Sequence, residues 1–200
     1  MLLFPEEESF QLNLPDADVT YYPNFFNLED ANHYFKILLD TLEWQQDNIT
    51  IFGKTHKQPR LTALYASNNN TYSYSNITMK PSKFTPTLEL IKTKIETKIK
   101  QQFTTCLCNL YRDGQDSNGW HADNEKELGQ NPIIASVSFG AERLFKLKHR
   151  TNKTLKHDIV LQHGSLLIMQ GKTQHHWLHQ IPKTRKITSE RINLTFRIIK

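Results

Sequence analysis

The 200-residue sequence is poor in the residues that mark several classes of protein. Its 2 cysteines, Cys106 and Cys108, are too few for a disulfide framework and lack CxxC spacing, so we expect reduced core thiols. With 7 glycines and 8 prolines, it is not a low-complexity chain. It has no run of about 20 apolar residues, the length that a membrane-spanning helix requires. These absences favour one globular domain in a reducing compartment.

The first residues also lack the basic start and the long apolar stretch of a secretory signal peptide. We therefore expect a protein that is not secreted. Its expected location is the cytoplasm in a bacterium, and the nucleus or the cytoplasm in a eukaryote. No sequence feature indicates a membrane or an oligomer, so we expect a monomer without membrane contact.

Positive charge is in moderate excess, with a formal net charge of +5. Such an excess suits a nucleic-acid partner, but it is common in proteins that have none. The basic residues cluster in segment 146–157 and again at Lys183, Arg185 and Lys186. For both clusters, a solvated loop and a nucleic-acid contact remain open.

Predicted helices come first in the chain and predicted strands follow. Asn27 is expected to cap a helix from Leu28 to about Trp44, and Thr85 to cap a helix that begins at Pro86. No βαβ alternation follows, so a jelly roll or barrel fits better than a doubly wound sheet. The predicted strands are 48–54, 60–66, 71–79, 103–112, 133–139, 142–149, 158–162, 165–169, 176–181 and 191–199.

The last predicted strand carries a continuous polar face. Because side chains alternate along a strand, its four polar residues share one face and its apolar residues share the other. A solvated surface strand would show this pattern. The wall of an anion pocket would also show it, because the arginine fork binds a carboxylate through two hydrogen bonds. The four residues are Arg191, Asn193, Thr195 and Arg197.

His121 and Asp123 are candidate metal ligands. They follow a turn-rich loop at the end of the 103–112 strand, on which Asn109 and Tyr111 share a face. Because the two ligands lie two positions apart on an extended segment, both can reach one metal ion.

A third ligand is expected from a later histidine. His179 lies on a segment whose alternating apolar residues predict a strand, whereas a zinc pair of His175 and His179 would require a helix. Two histidines and one carboxylate can hold iron(II) on one face of its octahedron and leave the opposite face open for oxygen chemistry. Zinc sites with these ligand types also exist, so the ligand types alone leave iron and zinc open.

Together these segments resemble the AlkB family of oxidative nucleic-acid dealkylases, and the vertebrate DNA-repair members most of all. The matching motifs follow the family's order and spacing and cover about the second half of the chain. Upstream, segments 51–54, 58–60 and 71–74 resemble the lid that the family places over its substrate base. The motifs are Asn109-Leu-Tyr111, His121-x-Asp123, 132–141, 163–169, Trp177-x-His179 and Arg191-x-Asn-Leu-Thr-Phe-Arg197.

The resemblance implies a fold of the α+β class that is mainly β. This is a double-stranded β-helix, or jelly roll, with N-terminal helices packed on it and a lid that covers the substrate. It implies a single oxygenase domain over residues 1–200. About 1–102 would form the N-terminal extension, the helices and the nucleotide-recognition lid, and about 103–200 the jelly-roll core.

The resemblance also implies an iron(II) ion and the cosubstrate 2-oxoglutarate. His121, Asp123 and His179 would hold the iron and form the catalytic centre. Arg191 would pair with the distal carboxylate of 2-oxoglutarate, and Arg197 would lie near the carboxylate next to the keto group. Four further residues would complete the cosubstrate pocket by hydrogen bonding: Asn109, Tyr111, Asn193 and Thr195.

The implied activity is oxidative demethylation of bases such as 1-methyladenine and 3-methylcytosine in alkylated DNA, and in RNA as a further substrate. It uses iron(II), 2-oxoglutarate and O₂, and it releases succinate, carbon dioxide and formaldehyde, so that alkylation damage is repaired by direct reversal. One alternative is an oxygenase that acts on RNA alone or on a protein side chain. The other is a binding module that recognises damaged bases without turnover.

In the lid, the resemblance implies that Tyr72 and Tyr74 stack on a base flipped out of the helix, with Arg60 nearby. Phe52 resembles a wedge with which a duplex-acting relative fills the gap left by the flipped base. Residues 58–63 are closer to a relative that prefers single strands. The preference for single or double strands therefore stays open.

Asn124 departs from the family, because the nearest relatives carry a second aspartate after the metal-binding one. Glu125 is expected to supply the acidic contact to the base in its place. Base preference stays open for this reason. Asn124 itself is also a predicted substrate contact, and the remaining ones are Gly53 and Lys54, beside the wedge position.

Overall fold

The computed structural model describes residues 8–51, 53–68, 72–74 and 77–199. The helices are α1 (Leu28–Thr41), α2 (Pro86–Ile99) and α3 (Thr173–His176), with a 3-10 turn at Lys126–Leu128. The strands, in chain order, are β1 (Phe10–Gln11), β2 (Asp18–Tyr22), β3 (Asn48–Ile51), β4 (Lys54–Lys57), β5 (Leu61–Ala66), β6 (Tyr72–Tyr74), β7 (Ile77–Met79), β8 (Ser82–Lys83), β9 (Thr105–Tyr111), β10 (Asn118–His121), β11 (Ile134–Gly140), β12 (Arg143–His149), β13 (Lys156–Leu161), β14 (Ser165–Gln170), β15 (Trp177–Ile181) and β16 (Arg191–Arg197).

Most strands belong to two sheets that pack against each other. The larger sheet has the order β1-β2-β14-β11-β16-β9-β5-β8, and the smaller has the order β10-β15-β12-β13. Apolar side chains from both sheets meet in one core, for example Leu107 and Leu167 from the larger sheet and Phe145 and Trp177 from the smaller one. The predicted jelly roll, mainly β with N-terminal helices, is confirmed.

Helices α1 and α2 cover the outer face of the larger sheet. Each begins as predicted, because the side chains of Asn27 and Thr85 accept a hydrogen bond from a backbone N–H in the first turn. The apolar stripe of α2 packs in a second core with the apolar residues of β16. The polar face of β16 consequently points the other way, into the space between the sheets.

Three predicted elements are wrong in extent. Helix α1 ends at Thr41 rather than near Trp44, because the chain turns there so that Gln45 can pair with Thr62. The predicted strand 48–54 is divided in the structure: β3 ends at Ile51, the chain turns at Gly53 with a φ of 76°, and Lys54 begins the second arm of the hairpin, β4. The predicted strand 71–79 is likewise a hairpin, β6–β7.

Some short elements were not predicted at all. Strand β2 extends the larger sheet beside β14, and β10 pairs with β15 in the smaller sheet. Short strands gain their stability from these long-range partners, so the local sequence gives only a weak signal. Among the described residues, none of the helices has both the length and the apolar character needed to cross a lipid bilayer.

Candidate active site

A cavity of about 120 Å³ lies between the two sheets, beside the polar face of β16. It brings together residues that are far apart in the sequence and that were predicted for three different roles. The predicted residues that line it are Arg60, Asn109, Tyr111, His121, Asp123, Glu125, His179, Arg191, Asn193, Thr195 and Arg197.

The predicted metal ligands converge at this cavity. His121 and His179 are directly opposed in the pairing of β10 with β15, and their ring centroids are 4.2 Å apart. Asp123 follows two residues later and is 3% exposed. One ligand atom from each of the three residues lies within 4.8 Å of the other two. Side chains at this separation can hold a single ion.

The hydrogen bonds of His121 leave one ring nitrogen available to a metal. The Nδ1–H donates to the carbonyl oxygen of Gly119 at 2.8 Å, and a carbonyl oxygen can only accept. Nε2 therefore keeps its lone pair and accepts a hydrogen bond from the Asn118 amide at 3.2 Å. Histidines that bind metals are usually oriented in this way, through a hydrogen bond from the other ring nitrogen.

The charges at the triad also suit a cation. Burial alone would raise the pKa of Asp123, but Arg197 together with His179 and His121 lowers it to about 2. The Nη2 of Arg197 donates to Oδ1 of Asp123 at 2.8 Å. Burial, with the nearby charges of His121 and Arg197, lowers the pKa of His179 to about 3. At neutral pH the carboxylate is ionised and this imidazole is neutral, which are the forms that bind metals.

Arg191 supplies a buried positive charge to the same cavity. The residue is 1% exposed, its Nη2 donates to Ser138 Oγ at 2.9 Å, and its guanidinium lies 5.1 Å from the centroid of the Tyr111 ring. Burial lowers its pKa to about 10, so it remains charged at neutral pH. Its Nε and Nη1 find no hydrogen-bond partner among the described residues. Unused donors on a buried cation fit the carboxylate of a small ligand such as 2-oxoglutarate.

The other predicted pocket residues form a hydrogen-bonded wall. The Asn193 amide donates to Ser136 Oγ at 2.8 Å, and its carbonyl oxygen accepts from Thr195 Oγ1 at 3.0 Å. Asn109 joins this wall through its amide, 3.4 Å from Asn193 Oδ1, and accepts from Arg60 Nε at 2.7 Å. Arg60, predicted near the substrate base, is thus hydrogen-bonded to the wall that is predicted to bind the cosubstrate.

The predicted contacts of the lid lie only partly within the described residues. Phe52 lies outside them. Tyr72 and Tyr74 lie on β6, but the structure describes only their backbone and not their side chains. Gly53 and Lys54 are exposed at the β3–β4 turn. The roles predicted for these residues therefore stay predictions.

Asn124 and Glu125, which directly follow Asp123 in the sequence, have different surroundings. Asn124 is exposed, whereas Glu125 lines the cavity. The Oε2 of Glu125 is buried and has no hydrogen-bond partner among the described residues. An acceptor in this situation is available to a donor on a bound molecule.

A second group of similar composition, Asp16, His149 and His176, also has ligand atoms within 4.8 Å of one another. His149 Nδ1 accepts from the backbone N–H of Thr151 at 3.3 Å and of Asn152 at 3.1 Å. Because N–H groups only donate, the neutral ring must carry its proton on Nε2, which faces Asp16 Oδ2 at 3.6 Å. Nε2 is thus a donor rather than a ligand, and this group does not suit a metal.

Three polar residues around the site were not predicted from the sequence. Ser136 and Ser138 lie on β11 and bond to Asn193 and Arg191. Their two-residue spacing within an apolar strand was a usable signal, because it places both on one face. Gln174, which bonds to the backbone of Asp123, gave no such signal, because only the chain turn at α3 brings it there.

This chain is similar to known proteins over most of its length. The sequence pattern of the 2OG-Fe(II) oxygenase superfamily matches residues 18–197. The human protein named alpha-ketoglutarate-dependent dioxygenase alkB homolog 3 is 40% identical over 190 residues, a match that covers 90% of this chain and 66% of that protein. The human DNA oxidative demethylase ALKBH2 is 36% identical over 188 residues, covering 89% and 72%.

Relatives of the first kind are longer than this chain. The Bos taurus alkB homolog 3 is 41% identical over 186 residues, which are 88% of this chain and 64% of that protein. The chain thus spans just under two thirds of the alkB homolog 3 proteins. A solved structure, described as the structure of OsALKBH1, matches with a TM-score of 0.65 at 15% identity and covers 90% of this chain and 97% of that one. This structural likeness concerns the fold.

Proposed function

This chain belongs to the AlkB family of the 2OG-Fe(II) oxygenase superfamily, and from this membership we propose that it oxidatively demethylates N-alkylated bases in DNA. The expected substrates are 1-methyladenine and 3-methylcytosine. The products would be the unmodified base, formaldehyde, succinate and carbon dioxide. Such a reaction reverses alkylation damage directly.

One observation carries this proposal: the candidate metal triad lines the same cavity as Arg191, a buried arginine whose Nε and Nη1 have no hydrogen-bond partner within the described ranges. A hydrolytic zinc site or a non-catalytic binder of damaged bases has no need for the Arg191 guanidinium beside its ligands. A cosubstrate that chelates the metal and ends in a carboxylate needs both features. The residues present therefore fit iron(II) and 2-oxoglutarate.

The roles of the chain's own residues follow from their contacts. When bound, iron(II) and 2-oxoglutarate supply, with O₂, the oxidising power that hydroxylates an N-methyl group. Arg191 binds the distal carboxylate, and Arg197 keeps Asp123 ionised and oriented through its hydrogen bond. Phe145 lines the cavity and stacks on the His179 ring, with 5.2 Å between ring centroids. Its apolar surface limits the access of water to the triad.

Glu125 is the residue that we assign to base recognition. Glu125 lines the cavity, and its buried Oε2, which has no hydrogen-bond partner in the described part of the chain, can accept a hydrogen bond from an exocyclic amino group. Both expected substrates have such a group, and both carry positive charge when methylated on the pairing edge. That methylation has already broken the base pair, so moving the base out of the stack costs less.

The sugar enters none of these contacts, so a methylated base in RNA is the second candidate substrate. DNA comes first because a relative that is 36% identical is named a DNA oxidative demethylase. All the residues to which we assign a role in the cavity come from one chain. We accordingly propose that the protein acts as a monomer.

The deciding assay measures formaldehyde released from an oligonucleotide with one 3-methylcytosine, in the presence of iron(II), 2-oxoglutarate and O₂. We expect stoichiometric formaldehyde and succinate. Matched single-stranded DNA, double-stranded DNA and RNA with the same lesion would rank the substrates. No formaldehyde from any of them would contradict the proposed activity.

A further inference from the structure

Gln174 is a fully buried polar residue that touches a metal ligand. It lies in α3 and is 0% exposed. Its Oε1 accepts a hydrogen bond from the backbone N–H of Asp123 at 2.9 Å, across 51 positions of sequence. Its Nε2 donates to the sulfur of Met169 at 3.6 Å. The orientation of the amide follows from these two contacts, because only its oxygen can accept from an N–H.

The backbone of Asp123 needs a support of this kind. The pairing of β10 with β15 ends at His121 opposite His179, after an irregularity that begins at Asn118. Asp123 follows that last pair, so its N–H lies beyond the ladder of β10 and β15 and has no strand partner among the residues described. A buried N–H without an acceptor is costly, and the side-chain oxygen of Gln174 satisfies it.

Gln174 also connects the segments that carry two different ligands. Helix α3 runs directly into β15, which carries His179. The hydrogen bond from Asp123 to Gln174 therefore fixes the Asp123 segment relative to the start of the His179 strand. Arg197 holds the carboxylate of Asp123, whereas Gln174 holds its main chain. The two contacts restrain opposite ends of one ligand.

We propose that Gln174 is a positioning residue for the metal centre, which sets the place of the Asp123 carboxylate by holding its backbone. This inference rests on the proposed function, since it requires a metal at the triad. Partners that orient a ligand typically alter metal affinity by about 10- to 100-fold when they are removed. A loss of that size is expected here.

The test is a titration of the metal-free full chain with Co²⁺, followed by visible absorption of the bound ion. Gln174→Met keeps the side-chain length but removes the acceptor, and it should weaken Co²⁺ binding at least about 10-fold. Gln174→Asn keeps the amide but is one methylene too short to reach, and it should weaken binding similarly. Gln174→Glu keeps an oxygen at the same reach and should restore most of the affinity.

Thr173→Val is the matched control, because Thr173 is buried in the same helix but bonds to Asp18 and Gln170 instead. It should disturb α3 and leave Co²⁺ affinity within about 3-fold, well below the loss typical for a ligand's partner. Thermal unfolding of the metal-free variants reports whether each one folds. If one variant fails to fold, the contrast between the remaining Gln174 variants decides.

The outcomes separate the two proposals. If wild type binds no Co²⁺, the metal centre and with it the proposed function fail. If wild type binds Co²⁺ and Gln174→Asn binds it equally well, the positioning role is overturned while the proposed function stands. Equal weakening in Thr173→Val would likewise overturn it, because the effect would then come from disorder of the helix.

Discussion

His121 and His149 each lie in a group of two histidines and one aspartate with ligand atoms within 4.8 Å of one another, yet their rings meet opposite partners. The Nδ1 of His121 donates to a carbonyl oxygen, whereas the Nδ1 of His149 accepts from two backbone N–H groups. The first arrangement leaves a lone pair on Nε2 and the second leaves a proton there. The composition of a cluster therefore does not identify a metal site, but the partner of the second nitrogen does.

The surroundings of the two groups also favour a metal ion at the group of His121 rather than at the group of His149. Asp123 is buried and bonded to Arg197, whereas the Asp16 side chain is 54% exposed. The Arg191 guanidinium, two of whose nitrogens find no partner in the described portion of the chain, lines the cavity of the first group. The group of Asp123 can thus hold a metal cation together with an anionic ligand, whereas the group of Asp16 cannot.

The largest effect is expected from removing the aspartate of each group in turn. Asp123→Ala should lower formaldehyde release by more than about 100-fold, the upper range for residues that merely support a ligand. Asp16→Ala should leave the rate nearly unchanged. Activity that survives Asp123→Ala, or Co²⁺ binding that is lost in Asp16→Ala, would contradict the assignment of the metal site to the group of Asp123.

The next largest effect concerns the anion site that only the first group possesses. Arg191→Ala should raise the KM for 2-oxoglutarate about 30-fold or more, because truncating one partner of a buried charge pair costs about 2 kcal/mol or more. The KM for nucleic acid should change little. Arg185→Ala, at an exposed arginine, is the control. Equal increases of both KM values in Arg191→Ala would argue against the carboxylate contact.

A smaller effect is expected from pH on the metal-free protein. The pKa of His179 is about 3 in the folded chain and near 6.5 when unfolded, so the unfolded chain binds the proton first as pH falls. His179 thus favours the folded state above pH 6.5, and this stability is lost progressively toward pH 3. Between pH 7 and pH 5 the loss should be about 2 kcal/mol.

Urea unfolding of wild type and His179→Gln at both pH values measures this loss. The free energy of unfolding of wild type should fall with pH more steeply than that of the variant. Parallel curves would show that His179 is not held neutral in the folded protein.

The smallest effect is expected at the second group. His149→Phe keeps a buried ring but removes the acceptor of two N–H groups in an exposed turn, which should cost about 1 kcal/mol in the free energy of unfolding. Co²⁺ affinity should equal that of wild type. A weakened affinity would mean that His149 contributes to metal binding after all.

Local patterns predicted much of this fold and site. Alternation along 191–197 separated the residues of the cavity from those of the helix-side core, and both faces lie where alternation placed them. The two-residue spacing of His121 and Asp123 likewise brought both to one point. Periodicity works for such residues because a strand fixes the direction of every side chain along it.

Other features could not be predicted because they depend on partners distant in sequence. The ion pair between Arg197 and Asp123 joins residues 74 positions apart, and Gln174 reaches Asp123 only through the turn at α3. The predicted strand 48–54 misses the turn between β3 and β4, because the left-handed φ of Gly53 does not show in a pattern of apolar residues. The tautomers of His121 and His149 likewise depend on three-dimensional contacts, so the sequence does not predict them.

The two faces of β16 have a consequence for assembly of the sheet. A shift of β16 by one residue against β9 and β11 would turn Arg191 and Arg197 toward the apolar side chains of the helices. Two guanidinium groups would then lose water without gaining a carboxylate partner, which is strongly unfavourable. The charges of the site thus disfavour a one-residue shift of β16, and the register that packs its apolar face against the helices also directs both arginines into the cavity.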